Sequence, residues 1–234
     1  MLQEKSHLPK LIERFKNTIS LMEIVINLME IGKMEQEKPK EKILKNLLKN
    51  FTKQYTLTTI AKDIGMTRSG TWKVLKKLKS EELIILSAIG EGKTSAYKIT
   101  LNWNNPLTEP TLTSCLIKES LRHKRWKFNF EKLEQKLEIL VLFGSIVNFP
   151  KEANDIDIMC VAREGKLGKI GDIVLDIQQT QSKKIHAINL LYKELKQEIK
   201  NKNKAYIEAL KKGIILFGQH NFVRFIGGLQ WTTV

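Results

Sequence analysis

LVLFGSIVNFPKEANDIDIMCV, residues 140–161, carries three signals in immediate succession. An apolar run stops at Gly144-Ser145, nine mainly polar and turn-forming residues follow (146–154), and a second apolar run opens with Asp155-Ile156-Asp157. Short apolar runs bounded by turn signals read as buried strands. Aspartates at i and i+2 of a strand point to one face. Two carboxylates a few Å apart are unfavourable unless a cation neutralises them. Mg2+ suits that role because it takes oxygen ligands and shares them with substrate phosphates. Gly144 allows the backbone to come close to a nucleotide, and the Ser145 hydroxyl with neighbouring amides can hold a terminal phosphate. Two ions held in this way would activate an attacking group and stabilise a leaving pyrophosphate.

Outward from this segment, the pattern predicts strands over Leu137–Phe143, Asp155–Val161 and Lys184–Leu191, with an amphipathic helix over 168–181 between the last two. A helix is expected from Tyr192 to Lys212, then a short strand Ile214–Phe217 and a final segment to Val234. Upstream, Leu116–Lys136 reads as a helix with a basic middle (Arg122, His123, Lys124, Arg125). Asn102–Thr113 has two prolines among Asn and Thr and reads as an extended linker.

The N-terminal half is helical. Leu8, Leu11, Ile12, Phe15, Ile19, Met22, Ile26 and Met29 recur at helical spacing, which predicts a long amphipathic helix over 8–31. Gly32–Lys42 reads as a connection. Ile43, Leu44, Leu47, Leu48 and Phe51 line a next helix, and Leu57, Ile60, Ala61 and Ile64 a short one that stops at Gly65. Thr67 caps a third helix, Arg68–Glu81, with Thr71, Leu75 and Leu78 inside. Two strands, Ile84–Ala88 and Ser95–Leu101, flank a Gly90-Glu91-Gly92-Lys93 hairpin turn.

The predicted class is therefore α+β. An N-terminal amphipathic helix (1–36) precedes a helical domain with a hairpin (37–103), a linker (104–114), and a domain built on a small mixed sheet flanked by helices (115–234). The formal charge of +15 and pI near 9.7 favour a polyanionic partner, nucleic acid first. Nearly all of that charge is lysine, which genome composition or a hot habitat also produces. No apolar run is long enough to cross a bilayer, and the first ten residues do not read as a signal peptide, so a cytoplasmic location is expected. Cys115 and Cys160 are far apart, and the histidines at 7, 123, 186 and 220 are scattered, so no zinc-type cluster is visible.

Two resemblances follow from these residues. YTLTTIAKDIGMTRSGTWKVLKKLKSEELI (55–84) with the hairpin IGEGKTSAYKI (89–99) resembles winged helix-turn-helix domains of bacterial and archaeal transcription regulators. The resemblance implies double-stranded DNA as partner, with the second helix of the pair in the major groove. Arg68 and Ser69 are then placed for base edges or phosphates, Lys73, Lys76 and Lys77 for phosphates, and Lys93 for contact at the wing tip. Trp72 is expected to pack, against the N-terminal helix, rather than to touch DNA. Such modules commonly bind as homodimers, for which residues 8–31 offer a face. A partner-docking role is an alternative for the same fold.

The Gly-Ser, nine-residue gap, Asp-x-Asp arrangement of 144–157 resembles the signature of polymerase-β-like nucleotidyltransferases, above all the minimal ones of prokaryotes. That implies Mg2+ on Asp155 and Asp157 as catalytic pair, a nucleoside triphosphate at Gly144 and Ser145, and NMP transfer to a hydroxyl of an acceptor such as a protein or toxin partner. The family usually adds a third carboxylate on the later strand, where Asn189 is expected to stand in this chain. Asn lacks charge and cannot act as a general base. Either two aspartates suffice, or another acid such as Glu194 reaches the site, or the domain binds nucleotide without turnover and serves a transcription regulator as a sensor.

Overall fold

The computed structural model describes residues 37–90 and 96–230. The helix expected over 8–31 and Lys93 of the hairpin turn lie outside the described residues. Helix α1 (Pro39–Lys49) starts with proline in its first turn, where the missing N–H costs nothing, and buries Ile43, Leu44, Leu47 and Leu48. It begins inside the stretch expected as a connection.

Helix α2 (Leu57–Asp63) opens on a capping box in which the Thr56 hydroxyl accepts from the Thr59 amide and the Thr59 hydroxyl accepts from the Thr56 amide. The turn after it passes through Gly65 at φ 67°, a left-handed conformation that glycine adopts without strain. Helix α3 (Arg68–Ser80) is capped by the Thr67 hydroxyl on the Gly70 amide and buries Thr71, Leu75 and Leu78, as the spacing predicts. Strands β1 (Ile84–Ile89) and β2 (Ala96–Leu101) pair antiparallel, and the Ile99 amide donates to the Tyr55 carbonyl, tying the start of the helix pair to the hairpin.

The segment expected as a linker is largely helical. Helix α4 (Thr108–Leu121) starts within it, with Pro110 in the first turn, and buries Leu112, Cys115 and Leu116. The single helix expected over 116–136 is broken instead into α4, α5 (Lys124–Asn129) and a 3-10 turn (Glu131–Lys136).

Strands β3 (Leu137–Phe143), β4 (Asp155–Ala162), β5 (Lys184–Leu191) and β6 (Ile214–Phe217) form one mixed sheet in the order β5-β4-β3-β6. β4 and β5 run parallel, joined by α6 (Ile170–Gln178); the other pairs are antiparallel. The helix expected over 192–212 divides into α7 (Tyr192–Lys200) and α8 (Lys204–Lys212), because Lys202 takes φ 57° and the Asn203 side chain caps the second piece on the Ala205 amide. Helix α9 (Gln219–Gln230) closes the described chain.

The sheet packs on both faces, as strict alternation on its strands requires. Leu140, Leu142, Ile158 and Cys160 meet Trp126, Phe130, Ile170 and Ile177 on one side. On the other, Ile139, Val141, Met159 and Val161 share a core with Leu195, Leu210, Phe222 and Phe225 that runs on without interruption into Leu44, Leu48, Leu75 and Leu78 of the first three helices. Charge reinforces this junction. Glu119 of α4 is almost wholly buried and receives Lys45 at 2.8 Å and Lys49 at 2.6 Å from α1, and Lys49 also donates to the Gly213 carbonyl at 2.8 Å. The helical part and the sheet are thus one packed body over residues 38–90 and 96–230. Among the described residues no helix is long and apolar enough to cross a membrane.

Candidate nucleic-acid interface and carboxylate site

Burial of Thr71, Leu75 and Leu78 fixes the orientation of α3. Arg68, Ser69, Lys73, Lys76 and Lys77 are all exposed as a consequence. The sequence places these five residues on an outward face, and the structure agrees. A helix with a buried inner side and a largely cationic outer side, followed by an antiparallel hairpin, is a geometry that can lay a helix against a polyanion.

In front of the N-terminal half of α3 lies a groove of about 500 Å³. Thr56 at the cap of α2, Leu57 and Thr58 of α2, Arg68, Ser69 and Trp72 of α3, and Ala96 and Tyr97 of β2 line it. The Trp72 ring stacks on Tyr97, with centroids 6.0 Å apart and planes at 24°. Trp72 does pack, as the sequence suggests, but its described partner is a hairpin residue. Tyr97 lines this groove, and sequence reading misses it. Its only signal is its place in the second hairpin strand, whose register against α3 is a tertiary fact.

The second cluster sits where β3 ends. Gly144 has φ 78° and ψ −165°, outside the range of other residues, and Ser145 begins a single 3-10 turn (Ser145–Val147). Phe143 is level with Asp157 in the antiparallel pair, so the Gly144-Ser145 bend lies beside the second aspartate. A β-carbon on Gly144 would come within 2.1 Å of Asp157 Oδ2. The glycine is needed for the carboxylate to occupy that position. Asp155 and Asp157 are partly exposed and share a face with Met159 and Val161, the face that carries α7 and α8. The bend and the paired acids, separated by nine residues in sequence, therefore adjoin in space.

On β5 the register corrects an expectation. Asp155 is level with Lys184, Asp157 with His186, and Cys160 with Asn189. Side chains alternate along a strand, so Asn189 projects from the opposite face to Asp157 and does not take the third-carboxylate position. His186 lies level with Asp157 on the face of the two aspartates, with Nδ1 at 3.6 Å from Asp157 Oδ1 and 4.0 Å from Asp155 Oδ2. The sequence reading missed His186 because parallel register cannot be counted from either strand alone. Glu194 is engaged elsewhere: its carboxylate accepts from the Leu191 amide at 2.7 Å and caps α7. Among the described residues no three His, Cys, Asp or Glu side chains close around one point as a preformed metal cage. Cys115 and Cys160 are both buried, and burial pushes the Cys160 thiol up to about 12, which disfavours its thiolate form.

No family model matches the sequence, and no curated protein matches it. Among solved structures the chain is similar to the adhesin competence repressor AdcR of Streptococcus pyogenes, at 18% identity over 53% of this chain and 82% of that one, with a TM-score of 0.32. It is also similar to ZitR, a zinc-responsive MarR family member of Lactococcus lactis (20% identity, 52% and 84% covered, TM-score 0.29), and to disulfide-formed AbfR (19% identity, 57% and 91% covered, TM-score 0.28). At TM-scores this low, the functional reading rests on the residues of this chain alone.

Proposed function

We propose that this chain is a DNA-binding regulator, in which a winged helix docks double-stranded DNA through α3 and a polymerase-β-like domain senses a nucleotide. The observation that carries the first half is the two-sided α3: Thr71, Leu75 and Leu78 fully inside, Arg68, Ser69, Lys73, Lys76 and Lys77 outside. Lysines on such a face neutralise phosphates, while Arg68 and Ser69, in the first turn, reach furthest toward base edges.

The sensing half is supported by the Gly144 bend beside Asp157. A divalent ion such as Mg2+ fits this donor set, since two carboxylates that share a face offer hard oxygen ligands with room for phosphates and water. Asp155 and Asp157 would hold it, and Gly144 and Ser145 would border the triphosphate. Such an ion supplies charge neutralisation for the phosphates when bound. With His186 rather than a carboxylate level with Asp157, the site has one fewer acid than the transferases it resembles, which favours binding over turnover. Gel shift of the full chain on its own promoter DNA, with and without nucleoside triphosphate and magnesium, tests this. Nucleotide-dependent affinity without a transfer product supports the reading, and failure to bind any duplex at low salt removes it.

The close approach of Asp157 to Gly144 favours a second reading, nucleotidyl transfer to an acceptor hydroxyl on a partner protein. Incubation with labelled ATP, CTP, GTP or UTP and cell lysate tests it. Label transfer lost in Asp157→Asn supports it, and absence of transfer from all four counts against it. A homodimer is part of the DNA reading, because paired half-sites suit a symmetric protein.

A further inference from the structure

We infer that the Trp72–Tyr97 pair is a reading surface for thymine methyl groups in the major groove, an inference that rests on the duplex-DNA reading above. The groove before α3 is lined by Leu57, Trp72, Ala96 and Tyr97, whose apolar surfaces we term its floor, and by the polar Thr56, Thr58, Arg68 and Ser69, termed its rim. Ala96 is exposed, and Tyr97 keeps 40% of its surface in contact with solvent, so this floor is open to an incoming molecule. The rim guanidinium and the three lysines farther along α3 select a polyanion as the occupant.

On the major-groove edge of B-DNA every base pair shows hydrogen-bonding atoms, but the C5-methyl of thymine is the one apolar group. The ring faces of Trp72 and Tyr97 cannot satisfy a donor or acceptor that they strip of water, which costs free energy, whereas they remove a methyl group from water at a gain. The pair therefore discriminates in favour of thymine opposite the floor. The stack also bridges α3 to β2, so the surface is set before DNA arrives.

The test uses the full chain. A preferred site is selected from a random-sequence duplex library, and affinity is then measured for duplexes in which each thymine of that site is replaced singly by deoxyuridine. At least one replacement is expected to weaken binding about fourfold, the worth of one buried methyl. In Tyr97→Ser that penalty is expected to disappear, and in Trp72→Leu, which keeps a smaller apolar contact, to shrink, while the salt dependence of binding stays unchanged. Tyr97→Ser alters a partly exposed side chain, so it reports on the groove even if Trp72→Leu weakens the packing of α3. Sequence-selective binding with no deoxyuridine penalty, or a penalty undiminished in both variants, overturns the thymine assignment and leaves the DNA reading intact. No salt-sensitive duplex binding at all overturns both, and the groove then belongs to another occupant such as a protein partner.

Discussion

The carboxylate of Asp157 lies against the α-carbon of Gly144, across the junction of β3 and β4, in the space that any larger residue's β-carbon would fill. Gly144→Ala therefore meets two obstacles, a left-handed φ of 78° and a 2.1 Å clash with Asp157 Oδ2. The strained backbone alone costs about 1–3 kcal/mol. The aspartate must swing away, so nucleotide affinity is expected to fall at least about tenfold while the sheet survives; calorimetric titration with a nonhydrolysable triphosphate and a far-UV circular dichroism spectrum read the two effects separately.

A divalent ion bound by Asp155 and Asp157, as proposed, would stabilise the folded chain by mass action. At 100 times its dissociation constant the gain is about 2.7 kcal/mol. Thermal unfolding midpoints are expected to rise with added Mg2+ or Mn2+ in the unmodified protein and to stay flat in Asp157→Asn. An equal rise in both proteins would place the ion elsewhere.

Glu119 ties the helical part to the sheet and sets an acid limit on stability. Burial pushes its carboxyl upward, but the charges of Lys49 and Lys45 and their hydrogen bonds outweigh this and hold it below the ordinary carboxylate range. A lowered folded-state value means that the stabilisation is complete above that ordinary range, about 4 to 4.5, and is lost as pH falls through the lowered value. Glu119→Gln leaves two lysines facing a neutral partner in a buried place and is expected to cost about 3 kcal/mol at neutral pH. The same variant should lose less stability than the unmodified protein between pH 5 and about pH 3, as urea unfolding at each pH would show.

Much of this was legible in the residues. Strands β3 and β6 end where their apolar runs end, each just before a glycine, because a buried strand has no other way to satisfy its side chains. The caps at Thr56 and Thr67 and the turn at Gly65 are written in residue types with one dominant local role. Residues 104–114 were not legible: two prolines and clustered Asn and Thr look like a linker, yet Pro110 sits in a first helical turn and Leu112, Cys115 and Leu116 find a core on α1 and α9. Tertiary burial overrides composition there. His186 was hidden for a different reason. Parallel strands far apart in sequence can be paired in several registers, and a single-residue slip exchanges Asn189's face for that of His186.

The helix α3 lysines are the basis of the DNA reading, so the decisive measurement is fluorescence anisotropy of a labelled duplex with the full chain across a range of salt. Log affinity is predicted to fall linearly with log salt, and the variant with Lys73, Lys76 and Lys77 all changed to alanine is predicted to bind more weakly with a slope smaller by about 3, close to one per phosphate contact removed. A duplex affinity and slope left unchanged by the triple substitution, or no duplex binding even at low salt, would contradict it.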